Sequence, residues 1–82
     1  MTTFYSVFYV NGLPVRYNVL FMESRFLFEP EFNPHNEIDA PFFAVADIDG
    51  EWSFKGLEDR DLRDQVIEEI NEFLLNRTMA VS

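Results

Sequence analysis

Two dipeptides, Asn11-Gly12 and Asp49-Gly50, each sit between runs of aromatic and β-branched residues. Both readily take positive φ at two successive positions, which the two-residue turn of a β-hairpin requires. No other feature constrains the fold as strongly, because so short a loop also fixes which residues face each other and on which side of the sheet they stand. Around Asn11-Gly12, Phe8 comes opposite Val15, Ser6 opposite Tyr17 and Phe4 opposite Val19, collecting one apolar face. Tyr5, Val7, Tyr9, Arg16 and Asn18 take the other. Pro14 is the weak position, and it implies a strand that begins at Val15 or an exposed edge. Around Asp49-Gly50, Phe43 and Val45 share a face with Trp52 and Phe54, Asp47 ends that row, and Ala44 and Ala46 stand opposite.

The second strand continues to Met22, pauses at Glu23-Ser24 and resumes from Arg25 to Glu29. A tight turn there sets Phe21 against Phe26 and Val19 against Phe28, extending the same core face, although Glu and Ser are poor formers of primed turns. This pairing leaves Leu20, Met22 and Leu27 beside the tyrosines on the second face. The stretch from Pro30 to Pro41 holds three prolines, two asparagines and three acids without periodicity, and reads as a long loop from which Phe32 and Ile38 could fold back as plugs.

From Leu57 to Arg77 the period changes. Leu62, Val66, Ile67, Ile70, Phe73 and Leu74 recur at three- and four-residue intervals and form one stripe of a helix. Asp61, Asp64, Glu68, Glu69 and Glu72 fall opposite, and either Asp59 or Asp61 can serve as N-cap. Residues 1–77 are thus expected to form a single α+β domain: a mainly antiparallel sheet of four to five strands with one C-terminal helix packed on one face. Residues 78–82 are expected to fray, and strand order is left open.

One helix about 10 to 12 Å wide cannot cover a five-stranded sheet nearly twice as broad. The second face, with Tyr5, Val7, Tyr9, Leu20, Met22 and Leu27 and also Phe42 and Ile48, is therefore expected to be partly exposed as a partner-binding surface. The competing possibility is closure of that face within the monomer by the Pro30–Pro41 loop.

Charge excludes several functions. Fifteen acids against six bases give a net charge of −9, and the acids all lie in residues 23–72. Direct binding to a nucleic-acid backbone or an anionic membrane is disfavoured. Residues 1–22 lack the basic and apolar regions of a secretory signal, no run is long enough to span a membrane, and a cytoplasmic protein is expected. With no cysteine, thiolate metal sites and disulfides are ruled out.

Catalytic and metal chemistry finds little footing. Asp47-Ile48-Asp49-Gly50-Glu51 has the acids of a calcium loop, but Trp52 stands where such a loop needs its turning glycine, so the segment reads as a hairpin turn. His35 is the sole histidine, too little for zinc, and Ser6, Ser24 and Ser53 lie in no nucleophile motif. The chain is read as a non-enzyme without a cofactor. The leading expectation is an acidic interaction module that self-associates through the tyrosine-rich sheet face as a homodimer, or binds another protein there. The alternative is an acidic inhibitor or immunity-type protein whose helix face, Asp61, Asp64, Glu68 and Glu72, occupies a basic nucleic-acid-binding surface of its partner. Arg60 and Arg63 interrupt that face and weaken any imitation of a nucleic-acid backbone.

Overall fold

The structure, a computed structural model, describes residues 2–31 and 40–81, with side chains to residue 76. Five strands, β1 (Thr2–Val10), β2 (Leu13–Met22), β3 (Arg25–Pro30), β4 (Phe43–Ile48) and β5 (Glu51–Lys55), are followed by helix α1 (Arg60–Val81). The strands form one antiparallel sheet in the order β1-β2-β3-β4-β5. Three two-residue turns set β1, β2 and β3 side by side and β4 beside β5, and the pairing of β3 with β4 joins the two sets into one sheet. The expected α+β arrangement is what the chain adopts.

Register agrees with the sequence at every pair it fixed. Phe8 faces Val15, Ser6 faces Tyr17, Phe4 faces Val19, Val19 faces Phe28 and Phe21 faces Phe26. Val45 faces Phe54, with Asp47 opposite Trp52 at the end of the row. The third hairpin closes through Glu23 and Ser24 at φ 50° and 64°, the same left-handed geometry taken by Asn11 and Gly12 at 53° and 80° and by Asp49 and Gly50 at 54° and 83°. Hairpin twist therefore overrides local preference at Glu23-Ser24.

Pro14 lies inside β2, which begins at Leu13 rather than at Val15. Strand alternation explains its tolerance. Pro14 faces Tyr9 at a pair that exchanges no backbone bonds, and its ring nitrogen points toward β3, whose last bond to β2 runs from Glu31 N–H to the Arg16 carbonyl at 2.8 Å.

The core lies between the sheet and α1. Phe8, Val10, Val15, Tyr17, Val19, Phe26, Phe28, Phe43 and Val45 meet Leu57, Leu62, Val66 and Ile70 there. Phe28 stacks on Phe43 at 4.6 Å, and Phe73 brings the helix onto Phe4 at 4.5 Å and Phe26 at 5.9 Å. Tyr17, with no exposed surface, donates its hydroxyl to the Pro41 carbonyl at 2.9 Å, and burial pushes its pKa up to about 12.

The helix begins later than its apolar period suggests. Gly56 turns the chain at φ +89°, where an added Cβ would lie 3.0 Å from the Phe42 carbonyl oxygen. Leu57 is consequently buried ahead of α1 rather than within it. Asp59 caps the first turn, its Oδ1 accepting from the Asp61 N–H at 3.0 Å, which decides between the two candidate caps. Helical backbone continues through residues 78–81 to Val81. Phe32, His35 and Ile38 lie outside the described residues.

Candidate interaction surface

Alternation along β1, β2 and β3 sends the odd residues of β1 and the even residues of β2 away from the helix. Tyr5, Val7 and Tyr9 are 59%, 57% and 58% exposed, Met22, Leu27, Phe42 and Ile48 are also exposed, and Leu20 is half-buried. The six residues singled out on this face do not form one uniform patch. Leu20 pairs between Thr3 and Leu27, and Leu27 pairs with Ala44, so an aliphatic group gathers at the Met22 end of the sheet. Tyr5, Val7 and Tyr9 run along the outer strand β1. Between the groups the row Tyr5–Asn18–Glu29 carries polar side chains.

Arg16 organises the tyrosine side. Its guanidinium lies 3.9 Å from the Tyr5 ring centroid, and its Nε is 3.2 Å from Glu31 Oε2. Both partners are exposed, so the ion pair contributes little stability. Charge on this face is balanced: Arg16, Arg25 and Lys55 against Glu29, Glu31 and Glu51, by the alternation of the strands and the Arg16–Glu31 pair. A chain of net charge −9 thus keeps its acid excess elsewhere.

Much of that excess is on α1. Asp61, Asp64, Glu68 and Glu72 are all exposed, and none is in an ion pair among the described residues. Arg63 leaves this strip by turning inward. Its Nε donates to the Leu57 carbonyl at 2.8 Å, its Nη2 donates to the same oxygen, and its guanidinium lies 5.0 Å from the Phe54 ring. Arg63 therefore interrupts the acid strip less than its position in sequence implies. Glu69 departs in the other direction: the period places it among the solvent-facing acids, yet it is half-buried and its Oε1 accepts from Ser6 Oγ at 3.0 Å. It sits on the shoulder of the helix, where a long side chain can reach the sheet.

One residue of this region is not singled out by the helical period. Gln65 bonds Tyr9 twice, accepting from its N–H at 2.9 Å and donating to its carbonyl at 3.0 Å. The carboxamide thereby occupies a place that a neighbouring strand would fill. An amide, both donor and acceptor, set among Asp61, Asp64, Glu68 and Glu72 was the available clue. Gln65 also shows which way the helix is turned: its acidic shoulder runs beside β1, so the two surfaces that the sequence presents separately meet along one edge of the molecule.

Among the described residues no three His, Cys, Asp or Glu side chains gather as a metal site, and no helix is long and apolar enough to cross a membrane. The Asp47 carboxylate accepts from the Gly50 N–H at 3.0 Å, within the hairpin turn. No protein-family model matches the chain, and no curated protein or solved structure is significantly similar to it.

Proposed function

We propose that this chain is a small cytoplasmic protein-interaction module that self-associates through the outer face of its sheet, with Tyr5, Val7, Tyr9, Leu20, Met22 and Leu27 at the contact. The observation that carries the reading is the exposure of three successive outward residues of β1, two of them tyrosines, on a face where bases and acids cancel. Two copies meeting there bury aromatic surface without opposing their acid excess. Sedimentation equilibrium tests it: a concentration-dependent dimer is expected, weakened by Tyr9→Asp or Leu20→Asp. A monomer at every accessible concentration removes self-association.

The second reading, an acidic inhibitor or immunity-type protein, is favoured by Asp61, Asp64, Glu68 and Glu72 being in no ion pair among the described residues and by the inward turn of Arg63. It predicts salt-sensitive capture of a basic, nucleic-acid-binding partner, abolished by simultaneous charge reversal of Asp64, Glu68 and Glu72. Binding that survives this reversal removes the reading.

A further inference from the structure

We infer that the free edge of β1 accepts an extended basic segment of another protein as a sixth strand, with the acidic shoulder of α1 reading its alternate Lys or Arg side chains. The inference rests on the reading of the chain as an interaction module and adds to it a docking edge and a partner chemistry.

The edge is established by Gln65. Its amide meets the N–H and C=O of Tyr9 on the side of β1 away from β2. Backbone groups alternate along an antiparallel strand, so those of Thr3, Tyr5 and Val7 point the same way. No described residue meets them there. Edges that are meant to stay single are usually short, charged or broken by proline. β1 is nine residues long, with no charge and no proline, whereas β5, at the opposite edge, has five residues and carries Glu51 and Lys55 at its ends.

The partner's chemistry follows from what stands over that edge. At 100° per residue, Asp61, Glu68 and Glu72 all lie within about 60° of Gln65 around the helix axis, and Glu69 lies about 40° to its other side. A strand laid about 4.8 Å beyond β1 sends every second side chain toward this shoulder and the rest toward Tyr5 and Val7. Basic residues suit the first set of positions and apolar or aromatic residues the second. Gln65 sets the limit of pairing, because it already fills the place opposite Tyr9. A second copy of the chain fits the edge less well: two-fold pairing of β1 with itself would bring the Glu69 and Glu72 shoulders of both copies together.

Three synthetic peptides of about eight residues, near the usual strand length, test the inference: alternating Lys and Val, alternating Glu and Val, and the Lys–Val peptide N-methylated at alternate residues. The Lys–Val peptide is expected to bind and to slow hydrogen exchange at the Thr3, Tyr5 and Val7 amides. The other two are expected to bind at least tenfold more weakly, which is about 1.4 kcal/mol. Glu69→Gln with Glu72→Gln should weaken the Lys–Val peptide several-fold. Val7→Pro, whose lost N–H faces the free edge rather than β2, should weaken it at least tenfold, and the methylated peptide makes the same test without altering the protein. Equal binding of the methylated and unmethylated peptides would reduce the effect to charge attraction and overturn the proposal. So would absence of binding, or protection of the three amides that rises with protein concentration alone, which would identify a second copy on the edge. If the peptides fail while the Tyr9→Asp-sensitive dimer persists, the edge is refuted and the module reading stands.

Discussion

Replacing Glu23-Ser24 by Asn-Gly should stabilise the protein. The two residues hold φ of 50° and 64°, a region that costs an ordinary L-residue roughly 1 to 2 kcal/mol and glycine almost nothing. Asparagine tolerates it better than most side chains. Against a gain of roughly 2 to 3 kcal/mol over both positions stands the extra chain entropy that glycine loses on folding, about 0.5 to 1 kcal/mol. The expected net change is therefore about 1 to 2 kcal/mol. Among the described residues, this turn meets another element through one long bond, from the Asp47 N–H to the Ser24 carbonyl at 3.4 Å, a backbone interaction that the substitution keeps. Urea denaturation followed by circular dichroism is the assay. With a slope near 1 kcal/mol per molar for a domain of this size, the midpoint should rise by about 1 to 2 M at unchanged slope. The midpoint has to be read at two protein concentrations, because self-association would add its own contribution. The converse change, Asn11→Glu with Gly12→Ser, should lower stability by a similar amount. If neither double substitution moves the midpoint, backbone strain at this turn is not the controlling quantity and the argument fails.

Tyr17 should make the fold sensitive to alkali. Its pKa rises from 10.0 to about 12 in the folded chain, so between those values the folded state holds a proton that the unfolded state has lost. Stability is then complete below pH 10 and declines as pH rises toward 12, by up to roughly 3 kcal/mol for this group. Tyr17→Phe should flatten that decline and cost about 1 to 3 kcal/mol at neutral pH by leaving the Pro41 carbonyl without its donor; a steep decline that persists in the phenylalanine variant would show another group responsible. Ile70→Ala should cost about 2 to 5 kcal/mol, since Ile70 is only 1% exposed, while Leu75→Ala, at a residue 60% exposed, should stay within about 0.5 kcal/mol. Similar losses from both, measured by denaturant titration, would refute the orientation given for α1.

The sheet was legible in the sequence because period two and a two-residue turn leave no freedom: once Asn11-Gly12 is placed, Ser6 must meet Tyr17 and Tyr5 must face outward. The Glu23-Ser24 turn obeyed the apolar pattern on either side of it rather than its own preferences. The helix was legible as a stripe and less so at its boundaries. Leu57 continues the apolar period, but Gly56 breaks the chain's direction just before it, and a capping aspartate at position 59 starts the helix afterwards. Glu69 was misplaced for a related reason, since a helical wheel gives an angle and not the reach of a long side chain from the shoulder to the sheet. Gln65 could not be assigned at all. Periodicity identifies the buried side of a helix, whereas which sheet edge its flank accompanies depends on the path of the chain from β5 back to β1.

That path also changes the meaning of having one helix for five strands. A centred helix would leave both margins of the core face equally bare and would set its acids over the middle of the molecule. Instead α1 lies toward β1, where Gln65, Glu69 and Phe73 all reach that strand, and at the far margin Trp52 and Phe54 remain half-buried with Arg63 over Phe54. The displacement brings the acidic shoulder of the helix to the one strand that has no charge of its own. Either feature alone has an ordinary structural explanation: acids on a helix keep a protein soluble, and every open sheet has an edge strand. Together they make an edge that discriminates by charge, open to a strand bearing bases and disfavoured for a second copy that would bring its own acids. Salt should therefore act oppositely on the two associations, weakening capture of a basic strand and easing self-pairing along β1, and one salt titration of each would separate them.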